Sequence, residues 1–362
     1  MFTFVKEWKL NTKNPVATSN FSPDGTRLAI VQDLNILIYA ITTRKNDTGD
    51  QIDIIPLTQL TTSHTCPISD LLWSPDSQCI ATASDDYTIE ITHYHYGHLH
   101  RLIGHTAPVT NLTYNPYGNL LYSSSMDESI KVWDVLNGTL LKTISAHSEP
   151  VVSINISEGD PSILCSGSYD GLIRLFDSQT GHCLKTLTYD KDWKRENEGV
   201  IPIIKVEVSF NGKYILVKSL DGIIKIWDCV CGDVIRVFHS KNINSNEDGS
   251  ASERENQDGN STFLKYSTDC RLFYPKNPNT DPLVISGDET GMVYCWKCNK
   301  PNENLQILQD PEKWHKDNPI LSIDTNHKLD LICVLSMNGV CSIWKWDDKD
   351  SDDDNDETGK EK

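Results

Sequence analysis

Aspartate and histidine recur along this chain at fixed distances, and these residue types could support acid–base catalysis or metal binding. The aspartates stand six residues before the end of short apolar segments, and histidines precede the ends of four such segments by 28 or 29 residues. An active site is built once, whereas these offsets repeat, so the pattern favours structural hydrogen bonds over catalysis. The repeated residues are Asp33, Asp86, Asp127, Asp170 and Asp221, with His64, His105, His147 and His315.

Two closely spaced cysteine pairs, Cys229 with Cys231 and Cys295 with Cys298, would allow a four-thiolate zinc site. Both pairs fall at the ends of apolar segments without a glycine-rich knuckle, where cysteine is a small apolar filler. The sequence also lacks a nucleophile elbow, a phosphate-binding loop and an HExxH motif. We therefore predict no metal, no cofactor and no catalytic residues.

The elements that carry these residues have the pattern of short strands. Runs of β-branched and aromatic residues, bounded by Gly, Pro, Asn and Asp, recur throughout the chain. Seven segments read apolar, any residue, apolar, large residue, with a base period of about 42 residues plus insertions. This pattern predicts an all-β fold. The segments are Ile36 to Tyr39, Ile89 to Thr92, Ile130 to Trp133, Ile173 to Phe176, Ile224 to Trp227, Val293 to Trp296 and Cys341 to Trp344.

The composition excludes several classes of function. The 362 residues carry a net charge of -18, of which -6 falls in residues 347–362 and -3 in residues 240–262. The rest of the chain has no positive excess with which to release counterions from DNA or RNA. No apolar run approaches the roughly 20 residues that span a bilayer, and Met1 to Leu10 lack the features of a secretory signal. We expect an intracellular protein with reduced cysteines that binds neither nucleic acid nor membranes.

Three polar stretches stand apart from the repeats. Residues 240–262 and 347–362 have the composition of segments that cannot bury enough apolar surface to fold. We predict a disordered insert and a disordered acidic tail there, which leaves residues 1–346 as one folded domain. The stretch 189–198, YDKDWKRENE, contains a tryptophan that would be costly to expose. Its Trp193, Lys194 and Arg195 are candidates for a contact loop, with packing against the rim of the domain as the alternative.

Gly104-His105 with Trp133-Asp134, and Trp227-Asp228, resemble the signature of the WD-repeat family, whose repeat of about 40 to 45 residues forms one four-stranded propeller blade. The resemblance implies a single seven-bladed β-propeller. It also implies a buried polar chain within a blade, because buried donors need acceptors. That chain would consist of His105, Ser125, Asp127 and Trp133.

Ring closure requires one more outer strand for the last blade. A closed ring removes the two sheet edges that an open stack of blades would leave exposed. The alternating stretch Phe2, Phe4, Lys6 and Trp8, ahead of the first repeat, is the candidate for this strand. We expect the N-terminal strand to close the propeller and its deletion to destabilise the ring.

Longer runs carry a more specific resemblance. SSSMDESIKVWD, GSYDGLIRLFD and SLDGIIKIWDC are similar to the fungal WD-repeat subunits of COMPASS, the SET-domain complexes that methylate lysine 4 of histone H3. The resemblance implies a nuclear, non-catalytic scaffold. Its partners would be the SET-domain methyltransferase and other core subunits, including a second WD-repeat protein, with the histone H3 tail as a further candidate.

The same resemblance implies two binding regions. In the animal counterparts the central opening takes an arginine, and the positions that match its lining are Ser69, Asp85 and Tyr169. A carboxylate there would attract a guanidinium. The aromatic pair that holds the arginine in those proteins is not matched, since Thr110 stands where one ring would fall.

The opposite face is implied to receive an acidic and apolar segment of the partner propeller. Asn211, Tyr214 and Ile226 match that region, and the alternative is that Asn211-Gly212 is only a hairpin turn.

Two other classes of function stay open. One is a WD-repeat scaffold of a ubiquitin ligase or signalling complex, and the other is a propeller enzyme with carboxylates or a metal at the channel mouth.

Overall fold

The computed structural model describes residues 1–12, 15–46, 49–188, 200–239, 264–278, 280–301, 304–308 and 318–347. These residues form strands and turns without a helix. Accordingly, none of the described segments is a helix capable of crossing a membrane.

The strands assemble into seven four-stranded antiparallel sheets, the blades, in the described part of the chain. Blades 1 to 6 use consecutive strands from β2 to β25, and blade 7 combines β26, β27 and β28 with β1. The strands are β1 (Phe2–Lys9), β2 (Ser19–Phe21), β3 (Arg27–Gln32), β4 (Asn35–Asn46), β5 (Gly49–Thr61), β6 (Ile68–Trp73), β7 (Cys79–Ser84), β8 (Thr88–His93), β9 (Gly97–Ile103), β10 (Val109–Tyr114), β11 (Leu120–Ser125), β12 (Ser129–Asp134), β13 (Thr139–Ser145), β14 (Val151–Ile156), β15 (Ile163–Ser168), β16 (Leu172–Asp177), β17 (Cys183–Thr188), β18 (Ile203–Val208), β19 (Tyr214–Ser219), β20 (Ile223–Asp228), β21 (Val234–His239), β22 (Cys270–Phe273), β23 (Leu283–Gly287), β24 (Val293–Lys297), β25 (Asn304–Leu308), β26 (Ile320–Asn326), β27 (Leu331–Ser336) and β28 (Val340–Trp346).

The N-terminal strand closes the ring, as the sequence predicts. β1 pairs antiparallel with β28, so that Phe2 lies opposite Trp346 and Trp8 opposite Cys341. The Phe2 ring is buried against Phe273 and Trp346, with ring centroids 5.3 and 5.0 Å away. The two ends of the described chain therefore hold each other in one sheet. The seven-bladed, all-β architecture is confirmed.

The apolar core lies between neighbouring blades. One cluster joins Ala81 and Ile91 of blade 2 to Leu121 and Trp133 of blade 3, and similar clusters lie between the other blades. Each blade buries both faces in this way, which explains why a single repeat is not a stable unit. Seven predicted segments supply the third strand of each blade, whose alternate side chains enter these clusters.

Turns alternate between two faces of the ring because every blade is an antiparallel meander. We call upper face the one that carries the turns between second and third strands, such as 85–87 and 169–171. The lower face carries the turns between first and second strands, such as 115–118 and 209–212, and those between third and fourth strands. The lower-face turns are tight: Gly118 donates its N–H to Asn115 O at 3.0 Å and adopts a φ of 73°, which glycine accepts without strain.

Candidate functional site

The repeated histidines and aspartates meet inside the blades. His105 Nδ1 lies 2.8 Å from the Asp127 carboxylate, and its Nε2 lies 2.7 Å from Ser123 Oγ. Trp133 donates its indole N–H to the same Ser123 hydroxyl at 2.8 Å. One proton arrangement satisfies all three contacts: indole to hydroxyl, hydroxyl to imidazole, and imidazole to carboxylate. The chain of hydrogen bonds is buried and internal.

The prediction is wrong for one residue of this chain of hydrogen bonds. Ser125 was expected beside the histidine, but the structure places Ser123 there. The two serines share a face of β11, and it is the Ser123 hydroxyl that accepts the indole N–H of Trp133. Ser125 instead donates to Ala107 O and accepts the N–H of Asp127, both at 3.1 Å. It therefore shapes the turn that carries the aspartate.

Two further blades repeat the arrangement. His64 contacts Asp86 at 3.0 Å and Thr82 at 3.0 Å. His147 contacts Asp170 at 2.9 Å and Ser166 at 2.7 Å. Burial opposes ionisation of Asp86, but hydrogen bonds from Thr88, Thr65 N–H and His64 outweigh it and lower the pKa of Asp86 to about 2. These carboxylates are thus held ionised by their structural partners, a state suited to accepting hydrogen bonds.

The centre of the ring is a cavity of about 180 Å³ lined by the first strands of the blades. Five of these strands change register at their second residue, which turns that residue toward the axis. Ser69 and Thr110 are two such residues. The recurrent bulge, which no spacing in the sequence indicates, therefore determines what faces the channel.

A second feature of the channel wall is a closed circle of hydrogen bonds. In every blade one Asn, Asp or Glu beside the axis accepts a backbone N–H from the next blade. We call these seven side chains the latch ring. The pairs are Asn20 with Trp73 N (3.0 Å), Asp70 with Leu112 N (2.8 Å), Asn111 with Ile154 N (2.9 Å), Asn155 with Val208 N (2.8 Å), Glu207 with Leu272 N (2.9 Å), Asp269 with Ile323 N (3.1 Å) and Asp324 with Phe21 N (2.6 Å).

Two cations lie among the acidic latches. Lys205 Nζ is 3.1 Å from Asp269, and Arg271 reaches Asp324 at 3.5 Å. Burial raises the pKa of Glu207 to about 7 and that of Asp324 to about 6, although the charge of Arg271 opposes both shifts. Two carboxyl groups of the latch ring therefore have pKa values raised toward neutral pH.

The predicted channel residues lie toward the upper end of the ring. Ser69 lines the cavity, and its hydroxyl donates to Val109 O of the next blade. Asp85 follows Ser84, the partner of Ile68 across the sheet, and is exposed on the upper face. Desolvation and the charge of Asp86 raise the pKa of Asp85. Tyr169 is half-exposed in the corresponding turn of blade 4.

Thr110 occupies in blade 3 the position that Ser69 occupies in blade 2. Its hydroxyl bonds to Val151 O at 2.6 Å and to Ser124 Oγ at 2.8 Å. The side chain thus ties two blades together and supplies no ring to the channel. An aromatic clamp is absent at this position.

The lower-face residues occupy different depths. Asn211 is exposed at the tip of the turn, where its Oδ1 accepts Ser209 Oγ at 2.7 Å and Lys213 N at 3.1 Å. Tyr214 follows and is 39% exposed. Ile226 is only 8% exposed and belongs to the core between blades 5 and 6, with Leu216 and Trp296. It supports this face from beneath.

Several predicted features lie outside the described residues. These are the contact-loop candidates Trp193, Lys194 and Arg195, the histidine His315, the insert 240–262, and the acidic tail after Asp347. The cysteine pairs are described: burial raises the pKa of Cys229 to about 11 and that of Cys298 to about 12, which keeps these thiols protonated. In the described ranges no three His, Cys, Asp or Glu side chains are grouped as metal ligands would be.

Comparison with known proteins places this geometry in a family. The WD domain, G-beta repeat family matches residues 56–92, 97–134 and 138–177. Over 346 residues, 96% of this chain and 100% of the relative, the sequence is 51% identical to COMPASS component SWD3 of Saccharomyces cerevisiae. The chain belongs to the WD-repeat family. Other matches are partial. Nuclear distribution protein PAC1 of Arthroderma benhamiae is 32% identical over 52% of this chain and 41% of the relative. Autophagy-related protein 16 of Arabidopsis thaliana is 25% identical over 59% of this chain and 42% of the relative.

The WD-repeat unit is offset from the structural blade by one strand. Each matched segment begins in or next to an outer strand and ends near the close of the third strand of the next blade. Each also contains one of the three histidine–aspartate pairs: His64 with Asp86, His105 with Asp127, or His147 with Asp170. The family signature thus coincides with the blades whose polar chain the structure shows.

Proposed function

We propose that this chain is a subunit of a COMPASS-type complex that methylates lysine 4 of histone H3, and that it acts there as a docking platform without catalysis of its own. The observation that carries the proposal is the 51% identity to a COMPASS component over the whole length of that relative. Its partners are a SET-domain methyltransferase and further core subunits, including a second WD-repeat protein, and its compartment is the nucleus.

The fold supports a platform because it fixes many loops at once. Blade-to-blade clusters and the latch ring hold the blades in place, so the turns on both faces are presented at defined positions. The groups that could act as acid or base are engaged inside blades: His105 with Asp127, for example. This use of the recurring histidines supports a structural rather than a catalytic role.

At the upper face we propose that Ser69, Asp85 and Tyr169 receive a basic side chain of a partner peptide. The exposed Asp85 carboxylate can attract a guanidinium or ammonium group. Asp85→Asn should weaken binding of an arginine-containing peptide from the methyltransferase or of the histone H3 tail, because the charge is lost. Asp76→Asn, which changes an exposed aspartate on the lower face, is the matched control.

At the lower face we propose that Asn211 and Tyr214 bind an extended segment of the second WD-repeat subunit, with Ile226 supporting the surface. Tyr214 offers a flat amphipathic ring of the kind enriched at binding hot spots. Tyr214→Ala should lower recovery of that subunit at least tenfold. Tyr96→Ala, at a more exposed tyrosine of another lower-face turn, should leave it unchanged.

The proposed function as a whole can be tested by replacing SWD3 of Saccharomyces cerevisiae with this chain. The chain would be expressed in Saccharomyces cerevisiae cells from which SWD3 has been deleted, with the cells' own SWD3 and an empty vector as references. The proposal predicts incorporation into the complex and methylation of histone H3 lysine 4 at the level of the SWD3 reference. Failure of both readouts, with the chain expressed and folded, would favour a scaffold of another assembly.

A further inference from the structure

The lower-face segments of blades 6 and 7 differ in charge from those of blades 3 to 5. In blades 3 to 5 these segments carry six carboxylates and one lysine, whereas the described segments of blades 6 and 7 carry five lysines and three aspartates. The sign of the charge therefore reverses across one face of the ring. The first set is 115–119, 134–138, 157–162, 177–182, 209–213 and 228–233, and the second set is 274–278, 280–282, 297–301, 326–330 and 345–347.

The reversal is clearest at the residue that follows the large aromatic residue of the third strand. Blades 3, 4 and 5 have Asp134, Asp177 and Asp228 there. Each of these carboxylates accepts two backbone N–H groups of the turn that follows. In the adjacent blades 6 and 7 the same position is occupied by Lys297 and Lys345. A repeat position that exchanges a turn-forming acid for a cation in two neighbouring blades indicates a use other than turn formation.

Two more lysines lie close to Trp346, near the end of the described chain. The Asp330 carboxylate accepts the backbone N–H of Lys276 in blade 6 at 2.9 Å, and the Asp330 carbonyl accepts the N–H of Trp346 at 2.8 Å. Lys328 stands two residues before Asp330, and both Lys276 and Lys328 are exposed. We call four residues of this surface the lysine patch: Lys276, Lys297, Lys328 and Lys345.

The lysine patch is compact and lacks counter-ions among the described residues. Lys297 lies opposite Leu283, which packs in one apolar cluster with Trp346, and Lys345 precedes Trp346 in β28. In the described part of the chain, none of the four ammonium groups forms an ion pair with a carboxylate. The patch can therefore accept carboxylates from a further segment.

The segment that follows the patch along the chain has the opposite charge. The described chain ends at Asp347, whose N–H donates to Met1 O at 2.8 Å and whose carbonyl accepts the Met1 ammonium group at 2.5 Å. Six of the eight residues 350–357 are acidic. Three residues span at most about 10 Å, so this acidic segment begins next to the lysine patch.

We infer that residues 350–357 bind back onto the lysine patch, so that the chain covers the lower face of blades 6 and 7 with its own acidic tail. Each exposed lysine–carboxylate pair is weak, but the segment carries several carboxylates and its tether gives a high effective concentration. Because the pairs are exposed, salt weakens them. The bound tail keeps acidic segments of other molecules away from these two blades. This inference does not depend on membership in a complex.

Carbodiimide crosslinking of the purified full-length chain tests the inference, because this reagent joins carboxylates to amines that they already contact. We expect crosslinks from residues 350–357 to Lys276, Lys297 or Lys328 at about 0.05 M salt and their loss at about 0.5 M salt. Lys213, which is exposed on the lower face of blade 5, is the control and should not react with the tail.

Mixing isotope-labelled with unlabelled chains shows whether the crosslinks lie within one chain, as we expect. Crosslinks only between two chains would assign the patch to a second copy and overturn the inference. Equal crosslinking to Lys213 and to the lysine patch would overturn it as well, because the attraction would then be unspecific.

A binding experiment measures whether the tail occupies the patch. A fluorescent peptide of residues 348–362 is added to the full-length chain and to a variant that ends at Asp347. We expect the peptide to bind the shortened chain and to bind the full-length chain at least tenfold more weakly. Equal affinity for both chains, or no binding to the shortened chain, would overturn the inference.

Lysine variants of the shortened chain locate the peptide. Lys276→Gln combined with Lys328→Gln should weaken peptide binding about fivefold or more, and Lys213→Gln should leave it unchanged. All three side chains are exposed, so the substitutions should not alter folding, which thermal unfolding checks. Equal losses for the double variant and for Lys213→Gln would contradict binding at the lysine patch.

Discussion

The Asp324 carboxylate of blade 7 accepts the backbone N–H of Phe21 in blade 1 at 2.6 Å. This contact joins the last blade to the first and completes the latch ring. The same carboxylate reaches Asn20 Nδ2 at 3.2 Å, and Asn20 is itself the latch to blade 2. Closure therefore rests on two contacts: the pairing of β1 with β28 inside blade 7, and the hydrogen bond from Phe21 to Asp324 between blades 1 and 7.

Asp324→Ala should destabilise the ring by about 3 kcal/mol, because it leaves the buried N–H of Phe21 without an acceptor and removes a partner of Arg271. Asp324→Asn retains an amide oxygen for Phe21 and should cost about 1 kcal/mol. Urea unfolding followed by tryptophan fluorescence measures both. An equal cost for the two variants would show that the charge, rather than the hydrogen bond, matters.

The attachment of β1 to blade 7 depends more on the side chain of Phe2 than on that of Phe4, although both residues lie on β1. Phe2 is buried between Phe273 and Trp346, whereas Phe4 is 39% exposed. Phe2→Ala should lower the free energy of unfolding by about 3–4 kcal/mol and Phe4→Ala by less than about 1 kcal/mol. Thermal unfolding of the two variants in parallel checks this. Similar losses for the two variants would mean that the burial of Phe2 against Phe273 and Trp346 adds no stability beyond that of the exposed Phe4.

Inside blade 3, Ser123 should matter more than Ser125. Ser123→Ala leaves the Trp133 indole and one nitrogen of His105 without partners in a dry interior, which should cost about 2–3 kcal/mol. Ser125→Ala removes two bonds at a turn and should cost about 1 kcal/mol. Urea midpoints of both variants decide between them, and the reverse order would restore Ser125 to the place predicted from the sequence.

Stability should rise as the pH falls from 8 to 5. The folded-state pKa of Glu207, about 7, lies above its ordinary value of 4.5, and that of Asp324, about 6, lies above 3.8. The folded state thus binds these protons more tightly, and the stability they confer is present below the ordinary values and lost as the pH rises through 6 and 7. Asp86, with a lowered pKa of about 2, acts oppositely: its contribution is present above pH 3.8 and lost as the pH falls through about 2.

The Glu207 contribution can be isolated by Glu207→Gln, which retains an oxygen that can accept the N–H of Leu272. Urea midpoints measured at half-unit steps from pH 5 to 8.5 should show a flatter pH dependence for this variant than for the wild type. Parallel profiles would show that Glu207 does not titrate in this range.

Regular spacing made much of the fold predictable. The third strand of each blade carries a fixed pattern and a fixed offset to the turn aspartate, so the blade number and the closing role of Phe2 to Trp8 could be read from the sequence. Ser123 was missed because Ser123 and Ser125 lie on the same face of β11, and the offset alone cannot say which hydroxyl reaches the indole of Trp133.

The latch residues escaped prediction for a different reason. Their distance from the third strand varies, because the latch residue stands at different places in the first strand: Asp70 is three residues before the end of β6, whereas Glu207 is one residue before the end of β18. A search at fixed offset therefore passes over several of them. At least one Asn, Asp or Glu stands in, or directly before, every first strand, and this was the available signal.

Native purification tests directly whether the chain is a subunit of a COMPASS-type complex. The full-length chain, tagged at its own chromosomal locus and isolated at physiological salt, would be analysed by quantitative mass spectrometry. We expect a SET-domain methyltransferase and a second WD-repeat protein in amounts comparable to the chain itself. Recovery instead of ubiquitin-ligase or signalling subunits, with no SET-domain protein, would contradict it.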